Sequence, residues 1–230
     1  MRHDPKALMV FAAGFGTRMA PLTDHMPKPL LTVGGRTLLD HALGHGTDLG
    51  LERIVVNAHY RANMIKAHLA DRDVAVSHET PNILDTGGGL IHARPLLEDQ
   101  IVYSINSDVV WFGPNPLDVL REAWKTTSAL GLLLLVPLAA AHNRNTPGDF
   151  ALDAQGAISR GGPLVYTGAQ IIDAAQLDAA GEGAFSLNAY WDHLIARNAL
   201  AGIRYPGEWC DVGTPDGLRR ANTLWAERQP

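Results

Sequence analysis

Short aliphatic and β-branched runs recur through the first part of this chain, and each is followed by a stretch with helical spacing. Lys6 to Ala12 reads as a strand that opens into a loop, with a helix expected from Thr37 to Leu49. "RIVVNAH" (Arg53 to His59) reads as a second strand, followed by a helix from Ala62 to Leu69. "VAVSH" (Val74 to His78) is a third, with a helix from Thr86 to Leu97. "IVYSINSD" (Ile101 to Asp108) is a fourth, with a helix from Leu117 to Thr127. "ALGLLLLVPL" is a fifth, and its unbroken apolarity suits a strand covered on both faces. Helices of about ten residues between strands make βαβ units with right-handed crossovers. The expected fold class is therefore α/β, a doubly wound, mostly parallel sheet flanked by helices, with loops after the strands gathered along one ligand-collecting edge.

Past residue 140 the pattern changes. "HNRNTPGDFALDAQGAISRGG" is polar and glycine-rich, with strand-like pieces at Phe150 to Leu152 and Ala157 to Ser159. "PLVYTGAQII" reads as another strand. Helices are expected at Ala174 to Leu177, at Leu187 to Ala199 and at Pro215 to Arg228, the last with Thr214 as N-cap and Pro215 at its first position. No repeat or low-complexity linker interrupts the chain. The organisation expected is one domain over 1–230, with a core part over about 1–140 and a small substrate-covering part over about 141–230.

A formal charge of -5 argues against a general nucleic-acid or anionic-membrane binder. Cys210 is the single cysteine, so no internal disulfide or cysteine-based zinc site can form. Ala7 to Ala13 is short for a signal-peptide core, and Ala129 to Ala141 is short for a span and contains Pro137. A cytoplasmic protein is the expectation.

The loop "AAGFGTRMAPLTDHMPKP" sits directly after the first strand. Gly14 and Gly16 let backbone amides approach a ligand closely and form an anion-binding nest. Arg18 offers a planar fork for phosphate oxygens and Lys28 a compact charge, on a segment stiffened by Pro21, Pro27 and Pro29. As a local pattern this is either such a phosphate site or a plain glycine turn carrying surface cations. Met19 rules out G-x-G-x-x-G, and no P-loop is present. Asp108 ends an apolar strand, and Asp211 follows the strand-like "IRYPGEWC" before a helix start. Each reads as a turn or helix cap, or the two together as hard oxygen ligands for a magnesium ion. Of ten histidines, His41 and His45 alone have helical ligand spacing, and Gly44 and Gly46 suggest a helix end there instead.

The loop resembles the signature LAAGxGTRxxPxTxxxPKPLx of the sugar-1-phosphate nucleotidylyltransferases, with Phe11 where leucine is usual. The likeness continues through "DTGGGL" (Asp85 to Leu90), "INSDVV" (Ile105 to Val110), "GDF" (Gly148 to Phe150) and "WCDVGTPDGL" (Trp209 to Leu218), nearly the whole chain. Within the family, the short length and the "TGGG" and "W-x-DVGT" segments look most like the N-acetylmuramate-1-phosphate uridylyltransferases of cell-wall recycling.

The resemblance implies a Rossmann-like nucleotidyltransferase fold, with a nucleotide-binding first part and a sugar-phosphate-binding second part. It implies a nucleoside triphosphate, UTP by preference, and a sugar 1-phosphate as partners, with Mg2+ held by Asp108 and Asp211. Catalytic roles fall to Arg18, Lys28 and Asp108. Nucleotide contacts fall to Ala12, Ala13, Gly14, Gly16, Thr17, Arg18, Lys28, Glu79 and Gly88, with Glu79 equally readable as a solvated loop acid. Asn106, Asp149 and Asp211 face the sugar phosphate, and Thr86 to Gly89 is either a ligand-approaching glycine run or a helix start packed on the sheet. Ser186 stands where relatives carry lysine or proline; Lys125, Arg144 and Arg160 are the cations that could replace a lost one. Rival readings are a mannose-1-phosphate guanylyltransferase, a choline-phosphate cytidylyltransferase, a nucleotide-sugar sensor without turnover, and an NAD-dependent dehydrogenase. A monomer or weak dimer is expected.

Overall fold

The computed structural model describes residues 3–144 and 146–228. In chain order the strands are β1 (Ala7–Phe11), β2 (Thr32–Val33), β3 (Arg36–Thr37), β4 (Arg53–Ala58), β5 (Ala75–His78), β6 (Ile101–Asn106) and β7 (Val109–Phe112). The second half adds β8 (Gly131–Pro137), β9 (Ala141–His142), β10 (Phe150–Leu152), β11 (Ile158–Arg160), β12 (Leu164–Asp173), β13 (Leu200–Arg204) and β14 (Glu208–Asp211). The helices are α1 (Leu38–Asp48), α2 (Ala62–His68), α3 (Asp85–Leu97), α4 (Pro116–Trp124), α5 (Leu187–Ala196) and α6 (Pro215–Ala226).

A nine-stranded sheet forms the centre. β1 lies between β4 and β6, with β5 outside β4, all parallel. β12 then runs antiparallel to both β6 and β8, and β13 closes that side parallel to β8. One reversed strand thus joins two parallel blocks, and β10 and β11 extend from the start of β12.

Alternate residues of β1 enter different cores, Leu8 and Val10 on one face and Ala7 and Met9 on the other, all without exposure. Burial on both faces explains why these strands are apolar throughout, not alternating. A small second sheet, β7-β14-β9, sits beside a minor core of Val33, Leu38, Val110, Cys210 and Val212 under α6.

Several expectations change. The fourth strand stops at Asn106, because Ser107 donates both its amide (3.2 Å) and its hydroxyl (2.7 Å) to the Phe11 carbonyl, turning the chain into β7. Ala174–Ala179 is a 3-10 segment, and α5 ends at Ala196. Gly44 and Gly46 do not end a helix, since α1 runs on to Asp48. A side chain at Gly46 would meet Leu8 Cδ2 at 2.7 Å, so this glycine lets α1 lie close on β1. Thr214 caps α6, its hydroxyl accepting from the Gly217 amide, with Pro215 at the first position.

Candidate active site

The ends of β1 and β6 deliver the loop after Phe11 and the turn at Asp108 to the same edge of the sheet. Gly16 adopts φ +66°, a left-handed conformation that favours glycine, and starts a short 3-10 turn carrying Thr17 and Arg18. The Gly16 carbonyl accepts from the Thr23 hydroxyl at 2.9 Å, pinning the loop. Gly14 keeps ordinary torsions and faces open space, leaving room for close approach to its backbone. The amides of Gly14, Phe15 and Gly16 donate to no group among the described residues.

Asp211 reaches Asp108 through the second sheet. β14 pairs antiparallel with β7, setting Asp211 opposite Val109, and the Val212 amide donates to the Asp108 carbonyl at 2.9 Å. Lys28 Nζ donates to Asp108 Oδ2 at 2.5 Å. Burial pushes the Asp108 carboxyl upward, but the charge and hydrogen bond of Lys28, with Arg18 adding, hold it below the ordinary range. Asp211 goes the other way. Burial and the Asp108 charge raise it, against the Gly213 amide that donates to its Oδ1 at 2.7 Å and the charges of Arg18 and Lys28. A Cβ at Gly213 would stand 2.7 Å from Arg18 Nη2 and 2.8 Å from Asp211 Oδ1, so the Arg18 guanidinium lies beside the second acid. Arg18 is exposed and has no hydrogen-bond partner among the described residues.

Two cavities meet at Asp108. The smaller, about 200 Å³, is lined only by residues between Phe11 and Asp108, among them Ala12, Ala13, Gly14, Lys28, Asn57 and Glu79. The larger, about 350 Å³, adds Arg18, Arg144, Asp149, Arg160, Tyr166, Trp191 and Asp211. Phe11, Asp85, Thr86, Asn106 and Asp108 line both.

Glu79 is not a solvated loop acid. It is fully buried, accepting from Asn57 Nδ2 at 2.7 Å and from the Leu84 amide at 2.8 Å, while Asn57 Oδ1 accepts from the Ala12 amide at 2.6 Å. This relay fixes the start of the first loop. Gly88 lies in neither cavity lining. A Cβ there would overlap the Gly183 carbonyl oxygen, and one at Gly87 the Phe185 ring, so the lack of side chains at these glycines admits the 183–187 segment. The Gly87 and Gly88 amides donate to the Phe185 carbonyl at 2.8 and 3.2 Å.

Asp149 is also engaged within the protein: Oδ1 accepts from Arg144 Nη2 at 2.5 Å and Oδ2 from the Tyr166 amide at 2.9 Å. Ser186 lines the larger cavity as the N-cap of α5. Of the three candidate cations, Arg144 and Arg160 line the cavity, while Lys125 pairs with Glu122 on α4. Asn57, Asp85, Tyr166 and Trp191 join the site without having been singled out as site residues by the sequence. Asn57 did carry a signal, a lone amide in the buried strand "RIVVNAH". Asp85 stood at the head of the quoted "DTGGGL" without a role assigned to it, and its φ of +58° is rare for a non-glycine.

Among the described residues no group of three or more His, Cys, Asp or Glu could hold a metal. Asp108 and Asp211 nevertheless fit a magnesium ion, being two oxygen-only donors whose mutual repulsion already raises Asp211. Phosphate oxygens and water would complete such a shell. No helix among the described residues is long and apolar enough to cross a membrane.

Residues 8–187 match the MobA-like NTP transferase domain. An N-acetylmuramate alpha-1-phosphate uridylyltransferase from Caulobacter vibrioides is 34% identical, the match covering 99% of this chain and 100% of that one. A protein of the same name from Neisseria meningitidis is 32% identical, over 94% and 96%. Among solved structures, a proposed glucose-1-phosphate thymidylyltransferase from Bacillus anthracis superposes with a TM-score of 0.81 at 17% identity, over 97% of this chain and 96% of that one. HddC from Yersinia pseudotuberculosis, complexed with GMP-PN, does so at 0.76 and 19%, over 96% and 99%. These two share the fold. With the loop, the acids and the identity running together along the chain, the protein belongs to the MobA-like NTP transferases and is a sugar-1-phosphate nucleotidyltransferase.

Proposed function

We propose that this enzyme transfers a uridylyl group from UTP to N-acetylmuramate 1-phosphate, forming a nucleotide sugar and releasing pyrophosphate. The observation that carries the reading is the meeting of two cavities at the Lys28–Asp108 pair, one lined by the first loop with Asn57 and Glu79 and one by charged side chains including Arg18, Arg144 and Asp211. The substrate pair is that named for the relatives from Caulobacter and Neisseria.

Uracil and ribose enter the smaller cavity, against Ala12 to Gly14 and the Asn57–Glu79 relay. The phosphates then cross the junction. Gly16, Thr17 and Arg18 take the outer two, through free amides and an unpaired guanidinium. Lys28 sits against the α-phosphate. The sugar phosphate occupies the larger cavity beside Asn106, with the sugar towards Tyr166 and Trp191. One of its phosphate oxygens attacks the α-phosphorus; that P–O bond forms as the bond to the β-phosphate oxygen breaks. The nucleophile is already anionic, so no general base is required, and the rate arises from alignment and charge neutralisation. A magnesium ion on Asp108 and Asp211, when bound, supplies a further positive charge against the phosphates.

The test is pyrophosphate release with UTP, dTTP, CTP, GTP or ATP against N-acetylmuramate, N-acetylglucosamine, glucose and mannose 1-phosphates, with magnesium and with a chelator. Release that needs UTP, N-acetylmuramate 1-phosphate and the ion is expected. Preference for GTP with mannose 1-phosphate would replace the substrate assignment, and UTP binding without release from any pair would leave a nucleotide-sugar sensor.

A further inference from the structure

Two arginines, Arg144 and Arg160, line the larger cavity away from the first loop. Arg144 lines it with a side chain 26% exposed, and its one acceptor among the described residues is Asp149 Oδ1. Its Nε is buried with no partner among them. Asp149 has no oxygen left without a partner, because Oδ2 takes the Tyr166 amide. The acid therefore works as a bracket, orienting a guanidinium whose remaining N–H groups are unmatched by the protein.

Arg160, on the same wall, is differently placed. Nε donates to Asp192 at 2.7 Å, Nη1 to Asn188 Oδ1 at 2.9 Å and Nη2 to the Asn188 carbonyl at 3.0 Å. Its Cζ also lies 4.9 Å from the Phe150 ring centroid and 5.6 Å from that of Trp191. Each of its nitrogens has an acceptor, so it stiffens the wall. Of the arginines that line this cavity, Arg18 and Arg144 keep N–H groups unmatched among the described residues, and Arg18 stands beside Asp211 on the first-loop side. Lys28 lines the smaller cavity and not this one, which keeps the α-phosphate charge apart from the wall.

We propose that Arg144 is a specificity-determining residue that reads a carboxylate on the sugar, separately from its 1-phosphate. A planar guanidinium matches a carboxylate through two parallel hydrogen bonds, and sugar hydroxyls offer no such partner. The inference rests on the substrate proposed above, since N-acetylmuramate is N-acetylglucosamine with a lactyl ether bearing that carboxylate. Asp149 is then a positioning residue.

The experiment compares N-acetylmuramate 1-phosphate with N-acetylglucosamine 1-phosphate, at saturating UTP, in wild type, Arg144→Gln, Arg144→Lys and Asp149→Asn. The second sugar phosphate is read as a substrate or, where turnover is too slow, by its Ki as a competitive inhibitor. Arg144→Gln should lower kcat/KM for N-acetylmuramate 1-phosphate roughly 10- to 100-fold, mostly through KM, and leave N-acetylglucosamine 1-phosphate within about twofold. Arg144→Lys keeps charge without the fork and should recover part of the loss, while Asp149→Asn should weaken the same preference. Retained handling of N-acetylglucosamine 1-phosphate shows that the variants are folded. An equal fall for both sugar phosphates would assign Arg144 to the shared phosphate and overturn the inference, as would an unchanged preference. Failure of wild type to use N-acetylmuramate 1-phosphate with UTP would instead remove the substrate reading, and this inference with it.

Discussion

Lys28 Nζ and Asp108 Oδ2 lie 2.5 Å apart at the junction of the two cavities. The lysine side chain is 13% exposed and the acid 26%, so the pair faces the cavities without belonging to a core. Lys28→Ala should lower kcat by about 10²- to 10³-fold, the usual consequence of removing one charge-stabilising donor. The melting temperature should stay within a few degrees of wild type. Pyrophosphate-release kinetics beside a thermal melt check this; near-normal turnover would take Lys28 out of the mechanism.

Glu79 holds two donors from inside the protein. Glu79→Gln keeps the shape but turns one acceptor into a donor aimed at another donor, costing about 1–3 kcal/mol of stability. Because Asn57 in turn holds the Ala12 amide, KM for UTP should rise as well. Urea unfolding and UTP kinetics on one preparation measure both; wild-type stability would show that the buried relay does not support the fold.

At Gly88 the expectation is structural. A methyl group there must displace the Gly183 backbone, so Gly88→Ala should destabilise the fold by about 1–3 kcal/mol. A melt shows it directly. An unaltered melt with lost UTP binding would return this glycine to the ligand.

His45 packs edge-on against Trp111, ring centroids 5.4 Å apart. Burial, with the charges of His41 and Arg36 adding, lowers it from 6.5 to about 4. The unfolded chain takes up this proton as pH falls below about 6.5, whereas the folded chain resists until about 4. Stability is therefore full above that window and declines as pH falls through it, by about 3 kcal/mol for this group. His41, also lowered by burial, acts in the same direction. Denaturant unfolding between pH 7 and pH 4 should show a shallower decline in His45→Leu than in wild type.

The central parallel strands were legible because burial on both faces makes them continuously apolar, as in "GLLLLVP". β7 was not, because "VVWF" follows the fourth strand with no glycine or proline between, and the turn is made by hydrogen bonds from Ser107 to distant Phe11. The direction of β12 is equally silent in the sequence, since a strand reads alike in either sense. At the site, the first loop, Asp108 and Asp211 stood out through fixed motifs. Glu79 and Asp149 were recognised as acids, but their partners come from Asn57, Leu84, Arg144 and Tyr166, contacts that local spacing does not encode. "TGGG" pointed to close approach; what approaches is the protein's own 183–187 segment.

The β7–β14 ladder has a consequence for synthesis. Every residue lining the smaller cavity has left the ribosome once Asp108 has, whereas Asp211 follows only after β8 to β13 have been made. A nascent chain halted after β12 contains the residues that line the smaller cavity but only Asp108 of the Asp108 and Asp211 pair that lines the larger one. Under the roles proposed for the two acids, a growing chain would complete the pair only when β14 docks on β7.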